Sequence, residues 1–235
     1  MEQPTDTNTN TNTNTNTNTN TNTNKLMQKK MSNIFSTYIL GYDNPNFVEQ
    51  NKMIIDLMGK EEFHPGDSQP FQTVDNHLEK RPEFAELFNW INDCLEDYRQ
   101  TFVYNCDSFK PILAWINKAT QEGQHNPHVH PMSFLSAVYY ISDNCTPTYF
   151  EDPKIQARSG WMVGSHSPAM SSVWQCPSET GTLVIFPSYL SHYTESINSS
   201  PYSPKFDGYR YTMSFNAIPF GVSNKGSLLE FNYNG

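Results

Sequence analysis

Two hydrophobic rhythms divide the chain. Phe47, Ile54, Ile55 and Met58 follow Asn44-Pro45 and end at Gly59, while Phe84, Leu87, Phe88, Ile91, Leu95 and Tyr98 recur at intervals of three and four behind Pro82. That spacing lays side chains along one stripe of an α-helix; Asn-Pro suits a helix start and glycine a helix end. Two helices are therefore expected in the first third, each with one face to bury against a sheet. From Ile112 onward the apolar runs shorten, favour β-branched and aromatic residues, and are broken by Pro, Asn, Ser and Gly. This pattern predicts strands over residues 112–116, 134–142, 148–151, 182–186 and 209–217. Short strands without helices between them imply a mainly β domain, an antiparallel sandwich or jelly roll with the two helices packed on one outer face.

The N-terminal stretch has neither rhythm. Thr and Asn alternate from Thr7 to Asn24, a composition with nothing apolar to offset the entropy of ordering, so residues 1–30 are expected to be a disordered tail. Residues 31–235 then form one domain, with helical support over 44–100 and a β core over 110–220. Charge narrows the partners. With 15 basic against 24 acidic residues and a net charge of −9, no basic stripe is present to bind a nucleic-acid backbone. No apolar run has the length of a secretory or membrane-spanning segment, so the expectation is a cytoplasmic protein without a membrane partner. Cys94, Cys106, Cys145 and Cys176 lack Cys-x-x-Cys spacing and are expected to be buried and unpaired.

The histidines carry the chemistry. His64, His77 and His166 stand alone, but His125, His128 and His130 cluster in His-Asn-Pro-His-Val-His, and His192 follows the buried-strand pattern Gly181-Thr-Leu-Val-Ile-Phe-Pro-Ser. In a strand, residues two apart point to one face about 6.6 Å apart, so His128 and His130 can hold one ion, with His192 facing them from a neighbouring strand. His125 precedes Pro127 by two and is placed in the approach loop. In the last strand Arg210, Thr212 and Ser214 share one face and Tyr211, Met213 and Phe215 the other. An arginine turned inward needs a partner, and its planar fork suits a carboxylate; with no acid in the sequence obviously placed, a ligand carboxylate is the candidate. Tyr140 is placed to add a hydroxyl.

His128-Val-His130, Ser136 to Ile141, Phe150-Glu-Asp-Pro153, Gly181 to Ser188, His192 and Arg210 to Asn216, taken in this order, resemble the Fe(II)/2-oxoglutarate-dependent oxygenases, and in particular the small prolyl-hydroxylase-like members of the bacterial and phage type. The resemblance covers roughly residues 112 to 220. It implies a double-stranded β-helix in which His128 and His192 bind Fe(II), Arg210 binds the far carboxylate of 2-oxoglutarate, and Thr212 and Tyr140 add hydroxyls to it. It also implies a hydroxylase that uses O2, releases succinate and CO2, and accepts ascorbate as a reductant, with a small molecule or peptide as substrate. No catalytic residue is expected beyond the metal and co-substrate ligands. One position departs from the pattern: where the family carries Asp or Glu, this chain has His130. Either three imidazoles bind the metal, which is the preferred reading, or Asp152 or Glu151 supplies the carboxylate. Two other classes remain open, a three-histidine cupin-type dioxygenase that needs no 2-oxoglutarate and a zinc-binding or non-catalytic jelly-roll module. Trp115, Phe134, Trp161, Trp174 and Tyr193 are candidate pocket aromatics, and the Ser-, Gly- and Pro-rich stretch 154–178 is a candidate substrate lid.

Overall fold

A computed structural model describes residues 36–64, 70–154, 171–197 and 208–234. The Thr-Asn tract, Trp161, His166 and most of the stretch proposed as a lid lie outside the described residues. The chain divides into Met1–Ser36 and Thr37–Gly235, and the elements that follow belong to the second unit.

Both helices form where the periodicity places them. α1 spans Phe47–Met58 and is followed by Gly59; α2 spans Ala85–Thr101 and is entered through a 3-10 turn at Pro82–Phe84. The stripe of α2 is buried from Phe84 to Tyr98. Twelve strands are present among the described residues: β1 (Leu40–Asp43), β2 (Phe63–His64), β3 (Phe71–Thr73), β4 (Cys106–Ala119), β5 (His125–His128), β6 (Leu135–Tyr140), β7 (Thr148–Glu151), β8 (Val173–Cys176), β9 (Thr182–Pro187), β10 (His192–Thr194), β11 (Arg210–Ser223) and β12 (Phe231–Tyr233). The first third is thus not purely helical, since β1 to β3 lie in it. They have two to four residues, too short for a period of two to register.

The strands form two antiparallel sheets. The larger runs β1-β9-β6-β11-β4-β3-β2, with β12 also on β11, and the smaller runs β5-β10-β7-β8. Alternation along the larger sheet sends Leu135, Ala137, Tyr139, Met213 and Phe215 to the outer face, where they meet Ile54 and Met58 of α1 and Leu87, Phe88, Ile91 and Leu95 of α2 in one core. Asn51 adds a polar tie, accepting from the Tyr139 hydroxyl at 2.8 Å and donating to the Ile141 carbonyl at 2.9 Å. On the inner face, Val138, Tyr140, Val184 and Phe186 meet Phe150 and Cys176 of the smaller sheet. This is the jelly roll expected, with both helices on its outer face. All four cysteines are buried and unpaired, also as expected.

β4 and β11 run well past their predicted ends, through Pro111 and Pro219. Pro111 stands opposite Ala217 and Pro219 opposite Phe109. There β3 no longer pairs with β4 and β6 no longer pairs with β11, so each proline sits where its strand has a free side and no ladder bond is lost.

Candidate metal centre

The smaller sheet brings the histidines together. His128 closes β5 and His192 opens β10 directly opposite it. His130 lies just beyond the end of β5 rather than on the strand, and its backbone N–H donates to the Ser188 carbonyl at 3.0 Å, fixing it to the end of β9. The expectation of one shared strand face is corrected in this respect, yet the rings still converge. Centroid separations are 4.3 Å for His128–His192, 5.1 Å for His130–His192 and 5.2 Å for His128–His130. One nitrogen from each lies within 4.8 Å of the others, the only such cluster of potential metal ligands among the described residues.

Hydrogen bonding decides which nitrogen faces inward. Nδ1 of His128 lies 2.7 Å from the Asn126 carbonyl, and Nδ1 of His192 lies 2.9 Å from the Leu190 carbonyl. A carbonyl only accepts, so both Nδ1 atoms carry the proton and both Nε2 atoms keep a lone pair. Nδ1 of His130 lies 2.7 Å from Oδ1 of Asn216, an oxygen that also accepts from the Ser136 hydroxyl at 3.1 Å. The His130 Nε2 is left buried with no hydrogen-bond partner. Burial, with the neighbouring His128 ring as a lesser cause, holds His192 down to about 3 and also lowers His130, so both are neutral near pH 7. Three imidazoles, each oriented through Nδ1, make a donor set for one divalent ion, and the orphaned buried Nε2 of His130 fits that use.

The two acids stand apart from this cluster. Glu151 is on the outward-facing parity of β7, beyond Phe150, and accepts from the Ser191 hydroxyl at 2.6 Å. Asp152 accepts from the backbone N–H of Lys154 at 2.9 Å. His125 belongs to β5, opposite Thr194, instead of an approach loop. Its backbone N–H donates to the Thr194 hydroxyl at 3.0 Å, and burial takes its ring down to about 3. His64 and His77 lie elsewhere, His77 beside Glu79 at 2.8 Å.

The inner face of the larger sheet supplies the other end of the pocket. Arg210, Thr212 and Ser214 line it from β11, Asn117 and Trp115 from β4, and Tyr140 from β6. Arg210 is 5% exposed. Its guanidinium donates through Nη1 to the Thr120 carbonyl at 2.9 Å and through Nη2 to the Gly123 carbonyl. Among the described residues no carboxylate pairs with it. Desolvation lowers its pKa, but an arginine starts high enough to remain charged. Beside it, Tyr140 shares a hydrogen bond of 2.8 Å with the Thr148 hydroxyl. The Asn117 amide donates to Ser214 at 3.0 Å and Thr212 at 3.4 Å and accepts from the Trp115 indole at 3.1 Å. Trp115 in turn stacks on His130 at 5.9 Å.

The lining residues of this pocket, which has a free volume of about 90 Å³, include four histidines and one arginine and no acid or lysine. Of the candidate aromatics, Trp115 and Tyr193 line it; Phe134 packs on Tyr104 and Phe109 elsewhere, and Trp174 stays half exposed against Phe150. Of the proposed lid, Val173–Cys176 forms the edge strand of the smaller sheet. Asn216, bonded to His130, and Asn117, bonded to Ser214 and Thr212, are neighbours of the candidate site that sequence reading does not single out. Asn216 shares the parity of Arg210, Thr212 and Ser214, which was the available signal.

The jelly roll thus places a convergent histidine set that could hold a metal ion and a buried guanidinium, with no carboxylate paired to it among the described residues, in one pocket. Residues 113–216 match the model of the family described as "Putative 2OG-Fe(II) oxygenase". Over this stretch the chain is similar to that family. No curated protein sequence matches the chain. Among solved structures, a prolyl-4-hydroxylase of Pseudomonas putida is similar with a TM-score of 0.52 at 10% identity, over 79% of this chain and 95% of that one. HygX from Streptomyces hygroscopicus, solved with nickel and 2-oxoglutarate, gives 0.52 at 13% identity, over 78% and 83%. A prolyl hydroxylase from Trichoplax adhaerens, solved with a peptide fragment of hypoxia inducible factor, gives 0.53 at 10% identity, over 78% and 84%. At these identities the likeness is one of fold.

Proposed function

We propose that His128, His130 and His192 hold Fe(II) through their Nε2 atoms and that Arg210, flanked by Tyr140 and Thr212, receives the far carboxylate of 2-oxoglutarate. The enzyme then hydroxylates a C–H bond of a small molecule or peptide. One oxygen atom of O2 enters the substrate as a hydroxyl and the other enters succinate, with loss of CO2. Iron with its co-substrate supplies the oxidising chemistry; ascorbate is the reductant that would keep the metal ferrous.

The observation that carries this reading is the shared tautomer. Three Nδ1–H groups are committed to Asn126, Leu190 and Asn216, so three lone pairs face one point. The imidazoles orient without adding charge, so the metal keeps its full positive charge toward a dianionic co-substrate. Arg210 offers its unused N–H donors in a region with no competing carboxylate among the described residues. Tyr140 is kept neutral, since burial raises its pKa, and its hydroxyl serves as donor or acceptor beside the arginine. The excess of acidic residues supports a substrate other than nucleic acid. Among the described residues no helix is long and apolar enough to cross a membrane, and four unpaired cysteines favour a reducing, cytoplasmic setting.

Anaerobic titration with Fe(II) and then 2-oxoglutarate tests the assignment. A visible charge-transfer band should develop as the keto acid chelates the iron. Iron uptake with no band at any 2-oxoglutarate concentration would instead fit a cupin-type dioxygenase, and a preference for zinc would fit a hydrolytic or structural site.

A further inference from the structure

Arg210 does not approach the pocket unsupported. The turn between β4 and β5 folds back so that the carbonyls of Thr120 and Gly123 both accept from its guanidinium. Two of its five N–H donors are thereby fixed on backbone oxygen, and the remaining donors are aimed by them. The turn is itself held, because Gly123 N–H donates to the Thr120 carbonyl at 3.2 Å and the Gln121 carbonyl accepts from Ile197 N–H at 2.8 Å.

This return is possible only because residue 123 lacks a side chain. A Cβ on Gly123 would stand 2.8 Å from Cβ and 3.3 Å from Cα of Ala119, and Ala119 is the residue paired directly opposite Arg210 across β4 and β11. No positive φ is involved at Gly123, so the constraint is one of contact and not of backbone conformation. Ala119 is buried in a sheet and cannot retreat; the turn would have to lift, taking the Gly123 carbonyl away from the guanidinium.

We propose that Gly123 is a positioning residue for co-substrate binding: its close seat on Ala119 lets the 120–123 turn hold Arg210 in the orientation that receives the distal carboxylate. The proposal rests on the assignment of 2-oxoglutarate to Arg210. The turn acts as a rigid backing, so the arginine's side-chain entropy is lost on folding instead of on binding. The turn bonds to Arg210 and to Ile197, which separates its effect from that of the histidines.

The test compares wild type, Gly123→Ala and the double variant Ala119→Gly/Gly123→Ala by two binding measurements made without turnover. These are Fe(II) affinity by competition with a chelator and 2-oxoglutarate affinity from the anaerobic charge-transfer band. Gly123→Ala is expected to weaken 2-oxoglutarate binding on the order of tenfold while Fe(II) affinity stays at the wild-type value. The double variant removes the colliding Cβ of residue 119 and should restore 2-oxoglutarate affinity. Wild-type co-substrate affinity in Gly123→Ala, a parallel loss of iron affinity, or failure of the double variant to recover would each overturn the proposal. If Gly123→Ala is not recovered folded, the double variant is read against wild type: equal affinity supports the proposal and weakened affinity overturns it. A wild-type protein that takes up iron but no 2-oxoglutarate would overturn the parent reading and this one together. Unchanged affinity in the single variant, with normal wild-type binding, removes this one alone.

Discussion

The two faces of β11 have opposite duties. Toward the helices, Met213 and Phe215 are fully buried in an apolar core. Toward the smaller sheet, Arg210, Thr212 and Ser214 line the pocket and Asn216 bonds to His130. The same backbone and the same neighbours, β4 and β6, serve both faces. The difference shows how a sheet separates stability from chemistry: the outer face supplies burial energy, so the inner face can carry a buried charge and a polar row that would be costly in isolation.

Substitutions on the two faces should therefore fail in different ways. Phe215→Ala opens a cavity between the sheet and α2 and should cost about 3–5 kcal/mol of stability, read by denaturant unfolding; a loss below about 1 kcal/mol would show that the outer face is not the main support. Arg210→Ala should fold and keep its iron while losing about 1.5–3 kcal/mol of 2-oxoglutarate binding, because a charged contact is removed and the ligand's carboxylate is left unpaired. Calorimetric titration checks this, and unchanged affinity would break the contrast. Asn216→Ala should lower Fe(II) affinity about 10–100-fold by releasing the tautomer and orientation of His130, with a smaller effect on 2-oxoglutarate once metal is saturating. Chelator competition reads it. The mildest change is His130→Asp, which should keep bound iron and succinate formation, since a carboxylate also suits ferrous iron at that place.

Legibility in the sequence followed the length and rarity of the signal. The α2 stripe and the alternation of β11 each extend over enough residues to fix which side faces what, and the structure has both as the pattern predicts. The three histidines were visible because imidazoles are few in this chain. β5 and β10, of four and three residues, are too short to show a period, so the sequence does not reveal that His125 lies on a strand and His130 just beyond one. The acids at 151 and 152 are indistinguishable from ligands in the sequence; in the structure neither joins the cluster of His128, His130 and His192. Backbone acceptors leave no mark at all in a sequence. The carbonyls of Thr120 and Gly123 that hold Arg210, and those of Asn126 and Leu190 that set two tautomers, became visible only with the chain folded.

Whether imidazoles alone hold the metal is read from the iron content of anaerobically reconstituted variants. Wild type and the acid-free variant Glu151→Ala/Asp152→Ala should each retain about one iron per chain after desalting, as a single three-ligand site requires, whereas His130→Ala should retain little. Iron kept in His130→Ala and lost from the acid-free variant would contradict the account.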